Sequence, residues 1–407
     1  SAGWAVLTII ISVGVLLVLF LVAFCLWKWG NVRCIGETPV PLFTLISILF
    51  TSGLDVGLIM LPLTEFPIYA DTVANPEYAF ANPLAIEFGF WGFLIWSFYF
   101  LTSFYFCVIE PRVRFFEIPV VRVLNNVVIM GTCAFTASLF LANLPSYIPE
   151  MGDGKQVVGP FYVITLLVIL ASAVTATDIK YLRLLSLASV WMFLALIVGL
   201  AVHADIGPAT LGGTLSGVNE YFTHLNRFVL PMNDYHEFYL FWWFAWSIMI
   251  GQFTARFVGG LRTWQLLLAL LTIPSLPIAV WFSVLYHYHL HAIDTSGLVN
   301  LSMIVVGSVF VINSLDSLIR LYSDNLGLTV SRLGRLRHIA MNVVLLFALA
   351  VMFQTQWLRI QWIGSVVVGI YLACIGYLLY AHRERVAAID SSPEDRVLDF
   401  ERIKSVH

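Results

Sequence analysis

The order of apolar and polar positions divides the chain into eleven hydrophobic runs, near residues 4–27, 40–63, 88–109, 123–143, 159–177, 184–203, 237–255, 263–287, 297–319, 339–356 and 360–381, each holding at most one acidic residue. All reach the roughly 18 residues that suggest a bilayer-crossing helix. Apolar residues are continuous within them, whereas a β-barrel needs segments of about ten residues with alternating polarity. The pattern predicts an all-α polytopic membrane protein with about eleven transmembrane helices. One polar interval, 204–236, starts with Gly207, Pro208, Gly212 and Gly213 and turns amphipathic toward Phe228, which predicts a loop carrying a short surface helix.

Composition sharpens this reading. Of 407 residues, 60% are hydrophobic and 11% charged, against about 25% charged in soluble domains. Eleven of the 45 charges lie in the last 26 residues, so the tail 382–407 reads as a solvated extension, with Ser391-Ser392-Pro393 inside it. Alternating the loops places eighteen Lys and Arg on one side and only Lys155, Arg227 and Arg359 on the other. By the positive-inside rule the C-terminus is cytoplasmic, and an odd number of crossings puts the N-terminus outside. Glu65, Asp71, Glu77 and Glu87, with no Lys or Arg among them, read as an acidic outer loop. The first run lacks a basic flank and a small-residue cleavage site, so it reads as a span rather than a secretory signal. Ser1 suggests that a preceding segment, such as another span, was removed. A net charge of −3 points to no nucleic-acid partner. The five cysteines show no CxxC or pairing pattern and read as small buried hydrophobes.

Charge inside hydrocarbon is costly, about 2.5–3.5 kcal/mol at a helix centre, so intramembrane acids are functional candidates. There are two. Asp55 lies in Phe50-Thr51-Ser52-Gly53-Leu54-Asp55-Val56-Gly57-Leu58, where Gly53 and Gly57 weaken the helix and expose backbone. That suits a counter-ion or proton carrier beside an unwound segment, while the plainer reading is a packed, hydrogen-bonded carboxyl. Asp316, four residues before Arg320, is explained by a helical ion pair. Aromatic residues concentrate twice, at Trp91, Trp96 and Tyr99 and again at Trp242, Trp243 and Trp246. Tryptophans often form an interfacial belt, but their faces also build cages for quaternary ammonium, at about 0.5–2 kcal/mol per ring.

The stretch from Phe238 through Trp246 to Gly251 and Ala255-Arg256, followed by Gly259-Gly260-Leu261-Arg262-Thr263, resembles the signature of the betaine/choline/carnitine transporter family. Phe50 to Gly57 with Glu65 and Pro67 is similar to that family's glycine-rich stretch, the spacing of Trp91, Trp96 and Tyr99 to its aromatic box, and Asn313-Ser314-Leu315-Asp316-Ser317 to its Thr-Ser-Ala-Asp-Ser segment. The resemblance spans roughly residues 30–330. It implies two inverted five-helix repeats, 40–203 and 237–381, preceded by one extra helix with its cytoplasmic loop in 1–39, where family members usually carry two. It further implies a cage of Trp91, Trp96, Tyr99 and Trp243, with Trp242 and Trp246 along the pathway.

The departures bear on coupling. Asp55 stands where the family has a middle glycine. Ile248-Met249 replaces the Pro-Phe that shapes one sodium site, and sodium-independent carnitine exchangers also carry Met there. Thr132 and Thr136 offer hydroxyls to that site, although threonines on a helix more often bond their own backbone. Asn313 and Ser314, with the 53–57 backbone, offer oxygens to a second. The expectation is therefore Na⁺ or H⁺ as coupling ion and no organic cofactor. Choline lacks the carboxylate that betaine and carnitine bring, so its burial needs a negative partner. Asp55 would supply one, which slightly favours choline or another cationic amine.

His287, His289 and His291 alternate near Asp294, but on a helix only His287 and His291 share a face, so interfacial histidines without metal are expected. No phosphate-binding loop is present, so direct ATP drive is not indicated, and no enzyme activity is expected. The functional expectation is a secondary transporter of a quaternary-ammonium solute, in a plasma or bacterial inner membrane, as a homotrimer or with a partner subunit. The alternative is a transporter-like sensor or membrane subunit that binds without transporting.

Overall fold

The computed structural model describes residues 2–54 and 56–389. The chain opens with α1 (Ala2–Trp29) and the short strand β1 (Arg33–Ile35), then an interrupted series, α2 (Leu42–Gly53), α3 (Val56–Met60) and α4 (Pro62–Ala70). A second interrupted series follows: α5 (Pro83–Trp91), α6 (Trp96–Phe104), a π-helical turn over Tyr105–Ile109, and α7 (Glu110–Val113). Next come α8 (Pro119–Tyr147), α9 (Gly159–Thr175) and α10 (Lys180–His203), with α11 (Pro208–Leu215) and α12 (Asn219–Thr223) in the polar interval. The remainder comprises α13 (Asp234–Ala255), β2 (Gly259–Arg262), α14 (Thr263–Thr272), α15 (Ser275–Leu290), α16 (Leu298–Leu326), α17 (Val330–Leu333), α18 (Arg335–Gln354), α19 (Ile360–Ala381) and α20 (Arg383–Ala387).

Among the described residues, eight segments are long and apolar enough to cross a bilayer: α1, α5 to α7 together, α8, α10, α14 with α15, α16, α18 and α19. The other apolar runs fall on the interrupted α2 to α4, on the 17-residue α9, and on α13, whose tyrosines, tryptophans and end acids lower its hydropathy. Prolines open α4, α5, α8, α9 and α11, where a missing N–H matters least. Asn82 and Asn233 cap α5 and α13 by accepting the N–H of Ala85 and His236, each at 2.9 Å. On α10, Leu184, Leu187, Trp191 and Val198 are exposed, a face that hydrocarbon rather than water solvates. This is an integral membrane protein.

α13 runs through the middle of the bundle and is buried from His236 to Gly251, except Phe238. It packs on α6, α8 and α19. The approach to α6 is close because Gly251 has no side chain: a Cβ there would lie 2.3 Å from Thr102 Oγ1 and 2.4 Å from Thr102 Cβ. Thr102 uses that proximity to donate to the Ser247 carbonyl at 2.6 Å. We therefore predict that Gly251→Ala pushes the two helices apart and costs about 1–3 kcal/mol. A thermal melt in detergent checks it, and a melting temperature equal to the parent's would refute the close-packing argument.

Two features depart from the expected pattern. First, β1 and β2 pair antiparallel, joining the segment after α1 to the one after α13. The strands are three and four residues long, the second opening on two glycines, and are too short to leave an alternating signature. Secondly, the interval 65–87 is not a plain acidic loop. Asp71 and Glu77 are exposed, but Glu65 on α4 and Glu87 on α5 are buried. All five cysteines are buried and form no disulfide.

Candidate functional site

The site is organised by two interruptions in the helical backbone. In the first, α2 ends at Leu54, which is extended at φ −116° and ψ 140°, and helix resumes at Val56. Gly57 is buried in α3. Asp55 lies outside the described residues. α16 packs against this interruption, and Asn313 Nδ2 donates to the Thr51 carbonyl at 3.2 Å. Among the described residues, Asn313 Oδ1 and Ser314 Oγ are buried with no hydrogen-bond partner, so two oxygens remain available beside the break.

The second interruption, which the apolar run 88–109 concealed, sits among the aromatic residues. Gly92 is extended at φ −120° and ψ 166°, and Phe93 takes φ +52°. A broken helix leaves backbone groups without partners, and side chains supply them here. Trp243 Nε1 donates to Phe90 O at 2.8 Å, and Trp96 Nε1 to Trp91 O at 2.9 Å. On the other side of the break, Phe93 N–H donates to Ser275 Oγ at 2.8 Å and Leu94 N–H to Tyr221 OH at 3.1 Å. Burial pushes the Tyr221 phenol well above its ordinary range, which keeps it neutral as that acceptor.

These bonds fix the tryptophans by their N–H edges and leave the ring faces to one another. Trp96 and Tyr99 stand at 85° with centroids 5.2 Å apart, Tyr99 and Trp243 are 5.0 Å apart, and Trp96 and Trp243 are 6.0 Å apart. Trp91 extends the group, 6.1 Å from Trp243 and 5.2 Å from Trp242. All five rings are at most 4% exposed, as is Trp246. Trp91 of α5, Trp96 and Tyr99 of α6, and Trp243 of α13 thus form one buried aromatic corner rather than an interfacial belt. The Nε1 atoms of Trp242 and Trp246 have no hydrogen-bond partner among the described residues.

The remaining candidates divide. Thr132 donates to Val128 O at 2.8 Å and Thr136 to Thr132 O at 3.2 Å, so both hydroxyl hydrogens serve their own helix. Met249 is buried on α13. Asp316 is fully buried and ion-paired, with Arg320 Nε 2.7 Å from Oδ1 and Thr175 Oγ1 donating to Oδ2 at 2.6 Å. Arg320 also donates to the carbonyls of Thr175 and Asp178 at 2.7 Å, capping the end of α9. His287 and His291 face each other at 4.3 Å between ring centroids, while His289 lies against Phe66 and Tyr286. Among the described residues no three His, Cys, Asp or Glu side chains gather as a metal site.

Sequence reasoning missed the environment of Glu65. Its carboxylate accepts from Tyr69 at 3.1 Å, from Tyr239 at 2.6 Å and from Tyr235. Tyr239 in turn accepts from Trp91 Nε1 at 3.3 Å. The signal was available in the tyrosines at 235 and 239, one helical turn apart, but nothing in sequence brings them to residue 65.

Residues 127–309 match the model of the BCCT family, the betaine/carnitine/choline family transporters. The chain is 23% identical over 320 residues to the high-affinity choline transport protein of Escherichia coli, covering 69% of this chain and 47% of that one. It is 24% identical over 315 residues to glycine betaine transporter 1 of Vibrio parahaemolyticus, covering 67% and 60%. An uncharacterized transporter of Mycobacterium tuberculosis is 22% identical over 305 residues, covering 63% and 50%. The chain thus spans about half the length of the curated relatives it matches. The matched segment carries α13 with its tryptophans, and the relatives extend the likeness beyond it: over these residues the chain is similar to the betaine/carnitine/choline family transporters.

Proposed function

We propose that this chain moves a quaternary-ammonium solute of the choline, betaine or carnitine type across the membrane by alternating access, as a secondary transporter. The observation that carries the reading is the buried corner of Trp96, Tyr99 and Trp243, extended by Trp91. A methylated ammonium cannot accept or donate a strong hydrogen bond and is recognised through its charge by ring faces. Here the indole N–H groups of Trp96 and Trp243 are taken by backbone carbonyls, so faces are what the corner presents. The match of residues 127–309 to the betaine/carnitine/choline family supports the same solute class. Trp242 and Trp246 line the approach in this reading. Choline or another cationic amine is favoured, because Asp55 adds a carboxyl to the interrupted first series.

Coupling is assigned to Na⁺ or H⁺. The free oxygens of Asn313 and Ser314 beside the first interruption support an ion there, while the hydroxyls of Thr132 and Thr136 contribute only lone pairs. The charge asymmetry supports a cytoplasmic C-terminus in a plasma or bacterial inner membrane.

Uptake of labelled choline, betaine and carnitine into proteoliposomes tests the reading, with sodium or proton gradients imposed separately. Accumulation or exchange of at least one is expected; if none enters, the proposal fails. If Asp55 carries the coupling proton, Asp55→Asn flattens the pH dependence of uptake, and an unchanged profile removes that role.

A further inference from the structure

Glu87 presents a problem in charge balance. It is on the first turns of α5, is 0% exposed, and among the described residues neither of its carboxyl oxygens receives a hydrogen bond. A buried carboxylate left this way is costly by several kcal/mol. The neighbours able to donate are otherwise engaged. Tyr69 on α4 and Tyr235 and Tyr239 on α13 all donate to Glu65. Tyr78, also buried, faces the same space, and His236 of α13 is stacked on Phe90. No Lys or Arg is ion-paired with either acid among the described residues. The side chains that act on its carboxyl group, Glu65 and Tyr69, both sit on α4, which packs against α5.

Two carboxyl groups facing each other have no donor between them unless one carries a proton. With that proton, Glu87 becomes an O–H donor to Glu65, and the ring of tyrosine hydroxyls completes the shell of a single buried negative charge. We propose that Glu65 and Glu87 form a proton-binding pair: one proton, resident on Glu87 and shared with Glu65, belongs to the resting structure.

The pair is also wired to the aromatic corner. Tyr239 OH donates to Glu65 and accepts from Trp91 Nε1, and the Trp91 ring touches Trp243. Loss of the proton places a second negative charge on the Tyr239 side of the corner, so proton occupancy and binding of a cation at the corner are linked reciprocally. This second claim rests on the solute reading above, while the proton itself does not.

Infrared difference spectroscopy of the full chain in detergent, in H₂O and D₂O, reads the proton directly. A deuterium-sensitive band of a protonated carboxyl is expected, lost in Glu87→Gln and shifted in Glu87→Asp. The aspartate variant serves if the glutamine variant does not fold. Spectra of wild type and of either variant that coincide in this region would overturn the pair. A wild type without the band whose melting temperature rises with sodium would put a metal ion in place of the proton, with the same consequence. Choline binding, followed by tryptophan fluorescence, is expected to change about fivefold or more across the pH range in which the band titrates, and to be flat in Glu87→Gln. A pH-independent wild-type affinity removes the link to the corner. No choline, betaine or carnitine binding at any pH strikes the solute reading and leaves the infrared result standing.

Discussion

Replacing Trp243 with alanine is expected to weaken binding of a quaternary-ammonium solute by roughly 30-fold or more, the equivalent of about 2 kcal/mol for a desolvated cation–π contact. Trp243 has ring contacts with Trp91, Trp96 and Tyr99, so its loss opens the corner on one whole side. It also frees the Phe90 carbonyl at the second interruption, which leaves a buried acceptor without its donor and costs about 1–3 kcal/mol of stability. Trp243→Phe separates the two effects. Phenylalanine keeps a face for the cation but has no N–H, so it should share much of the stability loss and little of the affinity loss. Isothermal titration and a thermal melt on the same preparations measure both. If Trp243→Ala folds and binds solute with parental affinity, the corner is packing and the cage reading is lost.

The second large effect concerns Asp316. Its carboxylate is fully buried and held by Arg320 and Thr175, and Arg320 in turn caps the end of α9. Removing one partner strands a charge, so Asp316→Ala and Arg320→Ala should each destabilise by about 3–5 kcal/mol. The double variant should lose clearly less than the two losses combined, because the second removal relieves the charge left by the first. A melt series in detergent reads this. Loss of sodium or proton coupling in an Asp316→Asn protein that melts like the parent would instead make the acid a transport residue.

How far the sequence could be read depended on the range of the interaction. Helices were legible because an apolar run declares its own environment, and each expected run falls on helix. The i,i+4 partners Asp316 and Arg320, and His287 and His291, could be found because helical spacing alone makes them neighbours. The tryptophans could be grouped as candidates, but their convergence depends on the approach of α13 to α5 and α6, which no local rule supplies. The interruption at Gly92 was hidden for a different reason. Its unpaired backbone groups are satisfied by Trp243, Trp96, Ser275 and Tyr221, three of them more than 100 residues away, so the segment shows none of the polar turn residues that usually mark a break. Glu65 and Glu87 were misjudged on the reasonable premise that acids without basic neighbours face water. Tyrosines, counted in sequence as aromatic bulk, act here as donors to Glu65.

The strand pair between Arg33–Ile35 and Gly259–Arg262 has a kinematic consequence. Only residues 30–32 separate α1 from its strand, and only 256–258 separate α13 from the other. Three extended residues span at most about 10 Å. The end of α13 is therefore on a short leash to α1, and any swing of the helix that carries Trp243 either drags the first helix with it or tears the ladder. The first helix then acts as a mechanical stop on the aromatic corner rather than as a passive membrane anchor.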